Sequence, residues 1–143
     1  MKRTVIMFMF GGFLYGLMEV IWRGYTHPSM FAAGGICVLM FGVINTRVGG
    51  RMPVIPRCLL GGAVITAVEF LFGLVFNVWL KMDVWDYSHL PLDLMGQVCV
   101  PFFLMWTALS FVGLYAERLL RFHMLGDIKY CAPKQEKVGA IAH

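Results

Sequence analysis

Four stretches of this chain are each long and apolar enough to cross a lipid bilayer. Nothing else in the sequence limits the fold as strongly. They lie at about 4–22, 29–45, 59–80 and 92–116. A bilayer core needs about 20 apolar residues per helical crossing. Hydrocarbon offers no partners to backbone amides, so runs of this length must be helices. The chain has 143 residues, of which 59% are hydrophobic and only 14% charged. A soluble domain carries about 25% charged residues. So few charges cannot cover a water-facing surface, which excludes a soluble domain. The expected fold is all-α, a polytopic membrane protein of four spans. Pro101 falls inside the fourth run, where it removes a helical hydrogen bond and predicts a kink near 98–101.

Basic residues set the expected orientation. Lys2 and Arg3 precede the first run, Arg47, Arg51 and Arg57 lie between the second and third, and Arg118, Arg121, Lys129, Lys134 and Lys137 follow the fourth. The other two loops hold only Arg23 and Lys81, so the 12 basic residues divide ten to two. By the positive-inside rule both termini and the central loop are cytoplasmic and the location is the plasma membrane. The formal charge of +4 is then a topology signal, with no nucleic-acid partner implied. The first run is read as a span and not a signal peptide, because Glu19 and Arg23 follow before any small-residue cleavage site. The four cysteines show no CxxC pair and no disulfide framework, and no metal or cofactor is expected.

The chain repeats itself. "GGFLYGLME" at 11–19 returns as "GGAVITAVE" at 61–69, and "GGIC" at 34–37 as "GQVC" at 96–99. This suggests a duplicated two-helix hairpin, giving two parallel hairpins related by an axis along the membrane normal. Gly12 and Gly16 form a GxxxG pair, and Gly62 and Thr66 stand at the matching places. Small residues four apart let helices approach closely in lipid. Glu19 and Glu69 each follow seven residues after the first glycine of their pair, nearly two turns on, so both carboxylates share the small-residue face.

The glutamates differ in depth. Glu69 lies twelve residues from both Arg57 and Lys81, near mid-membrane, where a carboxylate costs roughly 2.5–3.5 kcal/mol to place. Such residues are functional or paired. Asn77 continues a stripe of small and polar positions on the same side. Glu19 is nearer the outer end and has Arg23 four residues on, the spacing of a helical ion pair. The outer loops add His27, Asp86 and His89 near Trp22, Trp79 and Trp85, which suit an interfacial aromatic belt. Asp93 is placed to cap the fourth helix, and Gln97 to face Glu69 or Arg23. Residues 117–125 read as a basic, apolar segment lying on the inner membrane surface.

Three stretches resemble a known family: "GGFLYGLMEVIWRGYTHPSM", "EFLFGLVFNVWL" and "VWDYSHLPLDLMGQVCVPFFLMW". Over about 6–125 the chain is similar to small bacterial membrane proteins of the ABC-transporter type IV, CmpB-like permease family. The matching positions are Glu19, Arg23, Gly24, Thr26, His27, Ser29, Met30, Glu69, Trp85, Asp86, Tyr87, Ser88, Gly96, Gln97 and Cys99. Pro28, Asp93 and Phe103 depart from the pattern, and Asp93 adds a negative charge near the outer cluster. The resemblance implies transport. The chain has no GxxxxGK[ST] phosphate loop, so any ATPase would be a separate partner.

The expectation is a four-span membrane domain over 1–125 with a flexible cytoplasmic tail over 126–143. It would act as a small transporter or permease-like component, as a homo-oligomer or with a partner membrane subunit in the bilayer. Glu69 and Glu19 would form the intramembrane site with Asn77, and Arg23, His27, Asp86 and Gln97 an outer vestibule. Two other readings stand beside it. One is an assembly protein that transports nothing; the other is an enzyme at the outer lipid surface, using His27 and Asp86 as an acid/base pair.

Overall fold

The computed structural model describes residues 1–126; the expected tail, 126–143, lies outside the described residues from 127 on. Four long helices dominate: α1 (Lys2–Arg23), α2 (Pro28–Arg47), α3 (Val54–Gly73) and α4 (Val100–Leu125). α3 runs straight into a π-helical turn, Leu74–Trp79. A two-residue antiparallel pair, β1 (Asp93–Leu94) and β2 (Val98–Cys99), precedes α4. All four helices, with α3 counted through Trp79, are long and apolar enough to cross a membrane.

The helix ends follow from local chemistry. α1 stops at Gly24, whose left-handed backbone (φ 81°) turns its N–H back to the Val20 carbonyl. α2 starts with Pro28 in its first turn, and the His27 ring accepts the Ser29 N–H at 3.2 Å as a cap. α4 starts later than the sequence suggests. Residues 92–99 are not helical: Asp93 accepts the Gly96 N–H at 2.9 Å, and Gly96 turns the chain with φ 68°. Asp93 therefore closes a turn and does not cap α4. Pro101 then sits in the first turn of α4, where a missing N–H costs nothing, so the expected kink has no cause there.

The helices pack through glycine. Gly11 lies on the Gly34 carbonyl and Val38, Gly12 on the Phe31 ring, and Gly35 on the Phe8 ring. Partner numbers fall along α2 as they rise along α1, so the two run antiparallel. α3 and α4 do the same, with Gly61 against Ser110 and Gly62 against the Thr107 backbone, while Gly73 meets Gln97 just before α4. α2 is the most buried of the four and touches the other three. Its Cys37, Phe41 and Ile44 meet Cys58 and Ile65 of α3 and Trp106 and Leu114 of α4 in the main core. α1 and α4 barely touch, which leaves a gap between them.

The proposed second half of the repeat does not keep its backbone. "GGIC" lies inside α2, whereas "GQVC" forms the turn and β2. The first half does keep it, since Gly12 and Gly62 both sit in mid-helix against a neighbouring helix. A side chain at 62 would collide with α4 backbone, which overpacks by about 1–3 kcal/mol. Gly62→Val should therefore lower the melting temperature of the purified protein by several degrees. Gly50→Ala, where an added Cβ meets nothing within 4 Å, should leave it unchanged.

Candidate functional site

Two of the buried polar groups are carboxylates, each at the centre of its own cluster within the helix bundle. Glu69 anchors the first. It is 3% exposed, on the α3 face against α1 and α4. Its Oε1 accepts the Tyr15 hydroxyl at 2.7 Å, and its Oε2 accepts the Trp106 indole N–H at 2.7 Å. The two rings stack at 5.7 Å. Both donors are neutral, and among the described residues no basic side chain bonds this carboxylate. One turn before it, the buried Thr66 hydroxyl has no hydrogen-bond partner among the described residues.

Tyr15 and Trp106 also line a cleft of about 440 Å³ in the gap between α1 and α4. Ligand pockets start at about 300 Å³. Glu19, Trp22, Arg23, Tyr87 and Phe102 complete its polar and aromatic walls. Glu19 is held at both oxygens, by Arg23 Nη1 at 3.1 Å and by the Thr26 hydroxyl at 2.8 Å. Arg23 also donates to the Tyr25 hydroxyl and to the Val84 carbonyl, and its guanidinium lies 4.9 Å from the Tyr25 ring centre. The guanidinium is thus committed to Glu19, Tyr25 and the 80–92 loop. Tyr87 stacks on Phe102 at 4.4 Å, and burial pushes its hydroxyl well above the usual phenol range, so it stays neutral.

Asn77 and Gln97 lie apart from Glu69, in the support of the loop. Asn77 sits in the π-helical turn. Its Oδ1 accepts the Val84 N–H at 2.7 Å, and its Nδ2 donates to the Trp85 carbonyl and to Gln97 Oε1, both at 2.8 Å. π-turns recur at functional positions because they re-aim side chains. Here the extra residue aims Asn77 at the loop. Gln97 bonds Asn77 rather than Glu69 or Arg23, and its backbone carbonyl accepts the Trp85 indole N–H at 3.0 Å.

His27 and Asp86 do not meet through a hydrogen bond. His27 bonds Ser29, and its ring packs edge-on against Phe76. Asp86 is exposed, and its oxygens accept both the N–H and the hydroxyl of Ser88 at 2.8 Å. Those two bonds hold its carboxyl below the usual carboxylate range. Among the described residues no three His, Cys, Asp or Glu side chains are grouped to hold a metal ion.

The second cluster escaped the sequence reading. Glu117 of α4 is 1% exposed. It accepts Arg121 Nε at 2.8 Å and Asn45 Nδ2 at 2.6 Å. Residues 117–125 therefore continue α4 and do not form a separate surface segment, and Arg121 turns inward to Glu117. The signal was present: Glu117 and Arg121 repeat the four-residue spacing of Glu19 and Arg23. Position 42 opposite is glycine, and an added Cβ there would meet Arg121 and Glu117.

A family model described as "Putative ABC-transporter type IV" matches residues 6–132. Comparison with curated proteins and with solved structures finds no significant match.

Two outcomes are expected from this geometry. Tyr15→Phe and Trp106→Phe each leave one Glu69 oxygen without its donor, and should cost about 1–3 kcal/mol in detergent unfolding. Combined with Glu69→Leu, neither should add its full cost, because the interaction is already gone. For Asp86, the lowered carboxyl stabilises the fold above the ordinary carboxylate pKa, and that contribution is lost as pH falls through its folded value. Proteolysis of the 80–92 loop should rise on acidification in the wild type, and Asp86→Asn should flatten that rise.

Proposed function

The chain belongs to the ABC-transporter type IV family, and from that premise we propose that it is a small transporter or permease-like component whose working site is the α1–α4 cleft backed by Glu69. The observation that carries this reading is a carboxylate in the middle of an apolar helix with two neutral donors and no basic partner bonded to it. A structural glutamate in hydrocarbon is normally neutralised by a neighbouring cation. Glu117 has such a partner in Arg121, and Glu19 has one in Arg23. Glu69 differs from both, and it adjoins the walls of the cleft. Its charge is left to be balanced by a transported ion, a proton or a substrate.

In this reading Glu19 forms the mouth of the site, with Arg23 positioning it. Asn77 and Gln97 hold the 80–92 loop over the cleft, while His27 fixes the start of α2. Asp86 stiffens the loop from outside. The ten-to-two division of basic residues supports cytoplasmic termini, a cytoplasmic central loop and a plasma-membrane location. The matching Gly12–Glu19 and Gly62–Glu69 segments support two parallel hairpins within one membrane domain over 1–125. Four helices enclose little space, so the working unit is a homo-oligomer or includes a partner membrane subunit. If transport is driven by ATP, the ATPase is a separate chain.

Glu69→Gln tests the site. A glutamine can keep both contacts, with its carbonyl accepting from Trp106 and its amide donating to the Tyr15 oxygen. Its stability should stay within about 1 kcal/mol of wild type. Flux of a panel of ions and solutes into liposomes, with and without co-purified partners, should fall at least about tenfold. Full flux in this variant, or none in the wild type, would remove Glu69 or transport from the account.

A further inference from the structure

We propose that the α1–α4 cleft binds a hydrophobic organic cation. The inference rests on reading this cleft as the working site, and names the class of ligand that it takes.

The shape comes first. A volume of about 440 Å³ suits a compact organic molecule and far exceeds a bare metal ion. The walls come next. Tyr15 from α1, Phe102 and Trp106 from α4, and Tyr87 from the loop before α4 line the gap with aromatic rings. Their stacking fixes the rings in place: Tyr15 on Trp106 at 5.7 Å, and Tyr87 on Phe102 at 4.4 Å. Aromatic faces carry negative quadrupole potential and attract cations, most strongly where water is excluded.

Charge decides the sign of the ligand. Glu19 lines the cleft directly, and Glu69 lies one hydrogen bond behind Tyr15 and Trp106. Because Tyr15 and Trp106 donate their polar hydrogens to Glu69, ionisation of that carboxyl would make the rings' outer faces better cation acceptors. Arg23 is the one basic residue in the lining. It is spent on Glu19, Tyr25 and the Val84 carbonyl. Arg23 balances Glu19 and leaves Glu69 with no basic partner among the described residues, so a bound cation is what would hold Glu69 ionised. A hydrophobic cation supplies both the missing charge and the apolar area. A lipid acyl chain would satisfy only the second requirement, and an anion would face Glu19 and the electron-rich rings.

Tetraphenylphosphonium and tetraphenylborate have nearly the same shape and opposite charge. Binding of each to detergent-purified full-length protein is measured by calorimetry, in wild type and in Glu69→Gln. Comparing variants within one ion cancels that ion's partition into detergent. The expected result is at least tenfold weaker tetraphenylphosphonium binding in Glu69→Gln, with tetraphenylborate binding unchanged or tighter. Equal effects on both ions would mean a charge-blind apolar groove and would overturn the proposal, as would no phosphonium binding to the wild type. If Glu69→Gln is not monodisperse, Glu19→Gln replaces it: a phosphonium-selective loss of at least threefold supports the proposal, and no loss overturns it. Liposome flux separates this result from the transport reading. Glu69-dependent phosphonium binding without flux of any solute keeps the cation site and removes transport. Flux of another solute without phosphonium binding does the reverse.

Discussion

A carboxylate that joins three helices organises the middle of this helix bundle. Glu69 on α3 takes one hydrogen bond from Tyr15 on α1 and one from Trp106 on α4. Each bond closes across hydrocarbon, where an unpaired polar group finds no water to replace a lost partner. α1 and α4 have little direct contact. Glu69 is therefore a main tie between them, and it sets the width of the gap in which the cleft lies. Besides that tie, the stacking of Tyr15 on Trp106 is the main direct link between the two helices.

Glycine makes the tie reachable. A carboxylate is short, so α3 must lie close to its neighbours for both oxygens to find donors. Gly61 and Gly62 let α4 approach to backbone contact, and Gly11 and Gly34 do the same for α1 and α2. Apolar side chains give little preference for one helix neighbour over another in lipid, since the tails are as apolar as they are. Close backbone approach and a few buried polar bonds select the arrangement. The buried polar residues use this twice, at Glu69 and at Glu117, with opposite outcomes. Glu117 is closed off by Arg121 and Asn45, and so is a structural pair. Glu69 is held only by neutral donors beside an open cleft.

The 80–92 loop shows how a polar network can support its surroundings through buried bonds. Asn77 supplies three bonds to the segment that follows, in place of the regular helix that ends at Gly73. The π-turn places it there, and Gly73 leaves room for Gln97. This brings Trp85, Tyr87 and Gln97 back over the helix ends. Tyr87 thereby reaches Phe102 and becomes a wall of the cleft.

The sequence by itself determined what depends on local pattern. Run length and the scarcity of charge made four membrane-crossing helices unavoidable. The seven-residue interval placed Glu19 and Glu69 on their glycine faces, and four-residue spacing paired Glu19 with Arg23. Tertiary structure decided everything that depends on distant partners. Glu69 bonds residues 54 and 37 positions away, and no spacing rule selects Tyr15 and Trp106 from so many aromatics. Hydropathy put the start of the fourth helix too early, because residues 92–99 are apolar enough to mimic a span while Asp93 and Gly96 turn the chain. It also laid Glu117 on the membrane surface, since only packing against Asn45 and Gly42 shows that it is buried. Periodicity fixes which face a residue occupies. Only the meeting of helices fixes what that face touches, and in a bilayer a few buried polar bonds and glycine contacts choose that meeting.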